Sequence, residues 1–237
     1  MKWSDVFYTE EPFRPYGLSY FISILVLIVV GYLLIELGKK SAGPKRDFIF
    51  KVIASIVSLS IIAWAIIEIA LDRFYIESDL PLIFCNLIGL FLPIFAFYRK
   101  QWLFDILYYI IMAGAVMSVL TPALKQAYPH YEAFKFWIVH GGLVIFILYQ
   151  MIVYGYWPTR KGILTSFLFI QAYVLFIIGV NYILDANYLF LWEKPTTASI
   201  LDILGPWPYY IIIMDLILLP YFFILYAPIW LIRRKSA

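Results

Sequence analysis

Charge and cysteine are what this chain has least of. Asp, Glu, Lys and Arg together make up 14% of its 237 residues, against about a quarter in an ordinary soluble domain. No polar stretch is long enough to surround a core of its own. A separate soluble domain is therefore excluded, and residues 1–237 read as a single integral membrane domain. One cysteine, Cys85, is present, which excludes an intramolecular disulfide and a multi-cysteine metal site; no metal and no cofactor are expected. The net charge of +3 is accounted for by lysines and arginines flanking apolar runs, so nucleic acid is not expected as a partner. The first residues, Met1 to Gly17, lack a basic region leading directly into a short apolar stretch, so no cleaved signal peptide is expected there. Internal repeats and low-complexity segments are also missing.

What the chain has in abundance is apolar surface: 64% hydrophobic residues and a mean hydropathy of +0.88. Seven apolar runs stand out, at residues 18–37, 48–71, 81–98, 102–124, 133–154, 162–184 and 207–232. Each is near the ~17–25 residues that a helix needs to cross a ~30 Å hydrocarbon core. Helix is the only conformation open to them, because lipid offers no partner for exposed backbone groups. The expected fold is an all-α bundle of seven transmembrane helices in the cell membrane. The third run is short and holds Pro93; Pro220 and Pro228 interrupt the seventh. Aromatic residues, 20% of the chain, are read as bundle filling and interface belts.

Orientation follows from the basic residues. One side of this scheme holds Lys39, Lys40, Lys45, Arg46, Lys51, Arg99, Lys100, Arg160, Lys161, Arg233, Arg234 and Lys235, twelve of the eighteen Lys and Arg. The positive-inside rule makes that side cytoplasmic, with the N-terminus outside and the C-terminus inside. In the loop before the last run, Ala198 to Leu204 reads as a short interfacial helix, capped by Thr197 and ended by Gly205-Pro206.

Polar groups inside a membrane are costly and point to function. Here they gather in the outer half. Cys85 and Asn86 lie about one turn inside the outer end of the third run. His140 lies about two turns inside the fifth, roughly 10 Å deep. Glu68 is near the outer end of the second, Asn181 and Asp185 are at that of the sixth, and Asp215 is about two turns into the seventh. Gln150 and Gln171 lie deeper. Each has a plain structural use, as a small packing residue, an interhelical hydrogen bond or a helix end. Joined, they suggest a nucleophile and its base. A thiol needs a proton acceptor, a histidine supplies one, and an acid orients the histidine. Both helices would run inward, so the two side chains meet if those helices are neighbours. Gly89, Gly141 and Gly142 are expected to leave room for an acyl chain or headgroup.

A resemblance rests on Leu80-Pro81-Leu82 before Cys85, on Trp137-Ile138-Val139-His140-Gly141, and on the loop Asn187-Tyr188-Leu189-Phe190, Lys194-Pro195, Ser199-Ile200-Leu201-Asp202, Gly205-Pro206-Trp207-Pro208. With these motifs the chain resembles the YwaF-type bacterial integral membrane family, which is related to the transmembrane protein 164 family. The resemblance runs from about residue 15 to residue 232. It departs at Ile83-Phe84, where many relatives carry a polar residue. It implies an acyltransferase that remodels phospholipids with a cysteine and a histidine, roles that fall on Cys85 and His140. In that reading Asn86 or Asn181 donates to the oxyanion or binds substrate, and Asp215 or Glu68 orients His140. The partners are membrane phospholipids and lysophospholipids, without coenzyme A. The rival reading from another class is a transporter or ligand-binding protein using the same outer pocket; a scaffold binding partners through its outer loops is the third.

Overall fold

The structure is a computed structural model that describes residues 12–195 and 200–235. Among the described residues seven α-helices follow one another: α1 (Leu18–Lys40), α2 (Gly43–Ala70), α3 (Phe84–Phe97), α4 (Gln101–Leu120), α5 (Tyr131–Tyr154), α6 (Arg160–Leu184) and α7 (Tyr209–Lys235). Six are long and apolar enough to cross a membrane; α3, with 14 residues, is the shorter one. Among the described residues the only bridge-type backbone pairing outside helices joins Pro12 to Gln126.

Local chemistry sets the helix ends. Pro44 stands in the first turn of α2, where its missing N–H was unneeded. Thr159 caps α6 by accepting from the Gly162 N–H. The α5 helix stops at Gly155, whose φ of 74° is left-handed. The third apolar run starts its helix later than expected. Its helix begins at Phe84, because Leu80 to Ile83 are held in non-helical backbone by other elements. Tyr173 Oη donates to the Leu82 carbonyl (2.7 Å), and the Leu80 N–H donates to Tyr188 Oη (3.0 Å). In the loop before α7, residues Ile200–Leu204 form a 3-10 helix; the expected cap Thr197, with Ala198 and Ser199, lies outside the described residues.

The centre of the bundle is α5, which packs against α1, α2, α3 and α4. Small residues let backbones approach, the usual device where lipid removes any hydrophobic gain from helix association. A Cβ on Gly141 would lie 2.2 Å from Leu27 of α1, and one on Gly142 would lie 2.3 Å from Val57 of α2. Gly89 of α3 is filled by Ile61 and Val57. These three glycines therefore receive neighbouring side chains, not lipid, which corrects the space expected for an acyl chain.

Both ends of the bundle are tied by hydrogen bonds. At the end carrying the basic residues, Arg99 makes a two-pronged bond to Asp47 (2.9 and 3.1 Å), and Tyr154 Oη donates to the same carboxylate (2.6 Å). Nearby, Asp105 of α4 is only 4% exposed. It accepts from Thr159 N–H (2.9 Å), Thr159 Oγ1 (2.7 Å) and Gln101 Nε2 (3.2 Å). At the opposite end, Tyr20 Oη reaches the Leu120 carbonyl, Tyr131 Oη reaches that of Ser60, and the Phe13 N–H reaches that of Lys125.

Candidate active site

Cys85 stands in the first turn of α3 and packs against the main core. Its Sγ faces α4, 3.8 Å from where a Cβ would stand on Gly114. The smallest side chain on α4 therefore meets the thiol, which leaves the sulfur less crowded than any larger residue would.

His140 sits on α5 with its ring against Phe136, centroids 4.4 Å apart. Its Nδ1 is 2.9 Å from the Phe136 carbonyl oxygen. A carbonyl only accepts, so Nδ1 carries the hydrogen and Nε2 of the neutral ring keeps its lone pair. The backbone thus does the orienting work that Asp215 or Glu68 was expected to do.

The two helices touch: a Cβ on Gly89 would lie 3.7 Å from Val139 Cγ1. Cys85 is about one turn from Gly89, and His140 is the residue after Val139. Because α3 and α5 run in the same direction, the two Cα levels differ by about five residues, or ~7.5 Å. The His140 ring leans back toward Phe136 and shortens that offset. Successive helical residues turn by about 100°. With Val139 toward α3, Gly141 toward α1 and Gly142 toward α2, the flank left to His140 is that of α4, the helix the Cys85 thiol faces.

Asn86, beside the cysteine, makes no side-chain hydrogen bond among the described residues. Asn181 is different. It is 1% exposed, and both atoms of its amide are held by one residue: Nδ2 donates to the Tyr188 carbonyl (3.0 Å) and Oδ1 accepts the Tyr188 N–H (2.8 Å). It braces a loop in which Leu189 (φ 60°) and Phe190 (φ 54°) are left-handed, a conformation costing roughly 1–2 kcal/mol for each such residue. Asp215 accepts a short hydrogen bond from Gln171 Nε2, linking α6 to α7. Glu68 belongs to a polar group with His130, Glu132 and Lys135 at the end of the bundle opposite the basic one. Sequence reading missed Lys135 as an organising residue: its ammonium lies 3.6 Å from the Trp64 ring centroid. A lysine inside an apolar run was the available signal. Among the described residues no group of three or more His, Cys, Asp or Glu could hold a metal.

Apolar helices of this length, packed through glycines and tied at both ends, define a multi-pass helical membrane protein. The chain belongs to the TMEM164 family, whose sequence model matches residues 13–226. No curated protein and no solved structure matches it.

Proposed function

We propose that this protein is a membrane acyltransferase that moves an acyl chain between phospholipids through a thioester on Cys85. In this reading all seven helices cross the bilayer, with the N-terminus outside and the site in the outer half. The supporting observation is the state of His140: with Nδ1 committed to a backbone carbonyl, Nε2 is a ready proton acceptor on a helix touching that of Cys85.

The reaction balances with these groups alone. Nε2 takes the thiol proton as sulfur attacks the ester carbonyl carbon. A free thiolate would be costly in hydrocarbon, so proton transfer and attack run together. The tetrahedral oxyanion accepts a hydrogen bond from Asn86 Nδ2. The carbon–oxygen bond then breaks, and the imidazolium returns its proton to the departing lysolipid oxygen. A second lysolipid hydroxyl attacks the thioester by the reverse sequence, and no acyl-CoA is needed. Asn181 and Asp215 serve this site from a distance, by holding the outer loop and the α6–α7 pair.

The test is acyl transfer from a phospholipid to an isotopically labelled lysophospholipid in vesicles holding the purified protein. Cys85→Ala and His140→Ala are each expected to abolish transfer while the helical content stays intact. Transfer at the wild-type rate in Cys85→Ala would refute the mechanism.

A further inference from the structure

At the basic end of the bundle a cleft of about 550 Å³ opens between the α3–α4 turn and the segment after α5, lined by Phe97, Tyr98, Arg99, Lys100 and Tyr156. Its charges are unevenly compensated. The Arg99 guanidinium is occupied by Asp47 and lies over the Tyr154 ring, 4.6 Å from its centroid. Tyr156 Oη donates to the Arg99 carbonyl (2.7 Å) and fixes the wall. Lys100 is exposed and, among the described residues, pairs with no carboxylate. Lys51 likewise has no carboxylate partner there, and its ammonium sits 4.2 Å from the Phe97 ring centroid. By contrast, Lys39 is neutralised by Glu36 at 2.6 Å.

Depth sets this arrangement at the edge of the apolar run. The Arg99–Asp47 pair sets the α3–α4 turn level with Asp47, about one helical turn, or ~6 Å, inside the start of α2. Lys51 is one turn deeper again. Lys51 lies about one turn inside the apolar run that starts at residue 48, within reach of the headgroup level for a long side chain. Phe97 and Tyr98, 66% and 64% exposed, form an apolar rim beside it. A recess with an aromatic rim, the unpaired Lys100 ammonium in its lining, the Lys51 ammonium on the Phe97 ring at its edge and a rigid back wall suits a phosphate attached to acyl chains.

We propose that this cleft binds the phosphate headgroup of an anionic phospholipid from the leaflet at the basic end. The headgroup descends into the recess, its phosphate lying between Lys51 and Lys100 and its chains passing over Phe97 and Tyr98. Occupancy would fasten the turn joining the cysteine-bearing helix to α4. The site is at the opposite end of α3 from Cys85 and does not depend on the acyl-transfer reading.

The test is phosphatidylglycerol retention on the full chain, by native mass spectrometry of protein released from phosphatidylcholine nanodiscs doped with that lipid. Removing one lysine contact is expected to weaken retention about fivefold. Lys100→Gln should therefore lower it about fivefold, and Lys51→Gln with Lys100→Gln about twenty-five-fold. The paired control Lys45→Gln with Lys161→Gln, on the same end but outside the cleft, should change it less than about twofold. Equal losses in the cleft and control variants would mean a diffuse field and overturn the proposal, as would no loss in either. Glycerol phosphate or inorganic phosphate displacing the lipid at equal concentration would show a free-phosphate site and overturn the lipid assignment. Lys100 is exposed, so its single variant remains informative even if Lys51→Gln disturbs folding.

Discussion

Replacing Asp105 separates two roles that a buried carboxylate can have, charge and hydrogen-bond acceptance. Its Oδ1 accepts from the Thr159 N–H and Gln101 Nε2, and its Oδ2 accepts from Thr159 Oγ1. Gly162 packs on it so closely that a Cβ there would lie 2.6 Å from the Asp105 side chain. Asp105→Ala leaves one backbone donor and one hydroxyl of Thr159 without their partner. At roughly 1–3 kcal/mol for each buried group left unmet, and with Gln101 free to turn to water, the loss is about 3 kcal/mol. Asp105→Asn keeps the Oδ1 acceptor and has the same shape. Its amide can donate to Thr159 Oγ1 but leaves the Thr159 hydroxyl proton without this acceptor, so the expected loss is about 1–2 kcal/mol, less than that of Ala. The assay is reversible unfolding in mixed micelles, followed by helical circular dichroism. If Asn proves as damaging as Ala, the carboxylate charge is what matters and the acceptor reasoning fails; if Ala is neutral, the knot contributes nothing.

Three further outcomes follow from the geometry. His130 caps α5 by accepting the Glu132 N–H at Nδ1 (3.1 Å), and burial, opposed by the nearby Glu68 charge and helped by that of Arg73, holds its pKa below the ordinary 6.5. The unfolded chain therefore binds a proton first, so stability is full above about pH 6.5 and falls as the pH drops toward the folded value; a melting series in pH should show this slope in the wild type and lose it in His130→Asn, and an unchanged slope would contradict the cap. Gly142→Ala should cost about 1–3 kcal/mol, and more than Gly141→Ala, because the obstructing Val57 is stiff and Leu27 can swing aside; equal melting temperatures for the two variants would count against this packing. Asn181→Ala should remove about 2 kcal/mol of support from the loop after α6, seen as faster amide exchange over residues 187–193 with α4 and α5 unchanged; protection retained in that loop would show the brace to be elsewhere.

The helices were legible because hydrocarbon imposes one rule on every span: a long apolar run must close its own hydrogen bonds. That rule says nothing about runs held by their neighbours. Leu80 to Ile83 are as apolar as any helix start, yet Tyr173 and Tyr188 supply partners that release them from helix. The glycines misled for a related reason. A sequence shows that Gly141 and Gly142 lack side chains, but not that Leu27 and Val57 fill the gaps. Cys85 and His140 were conspicuous as scarce chemistry at a costly depth, and the structure adds that their helices touch at Gly89 and Val139. Asn181 and Asp215 looked equally conspicuous, yet their partners are Tyr188 and Gln171. Only tertiary structure separates a polar group that braces a helix from one left open to a substrate.

The acyl-enzyme itself is the most direct object to look for. Purified protein incubated in phospholipid vesicles, then analysed by intact-mass and peptide mass spectrometry, is expected to carry one acyl group on Cys85. Neutral hydroxylamine should remove it, and His140→Ala should nearly eliminate it. An unmodified Cys85 in a preparation that transfers acyl chains, or an adduct that forms equally well without His140, would contradict the thioester mechanism.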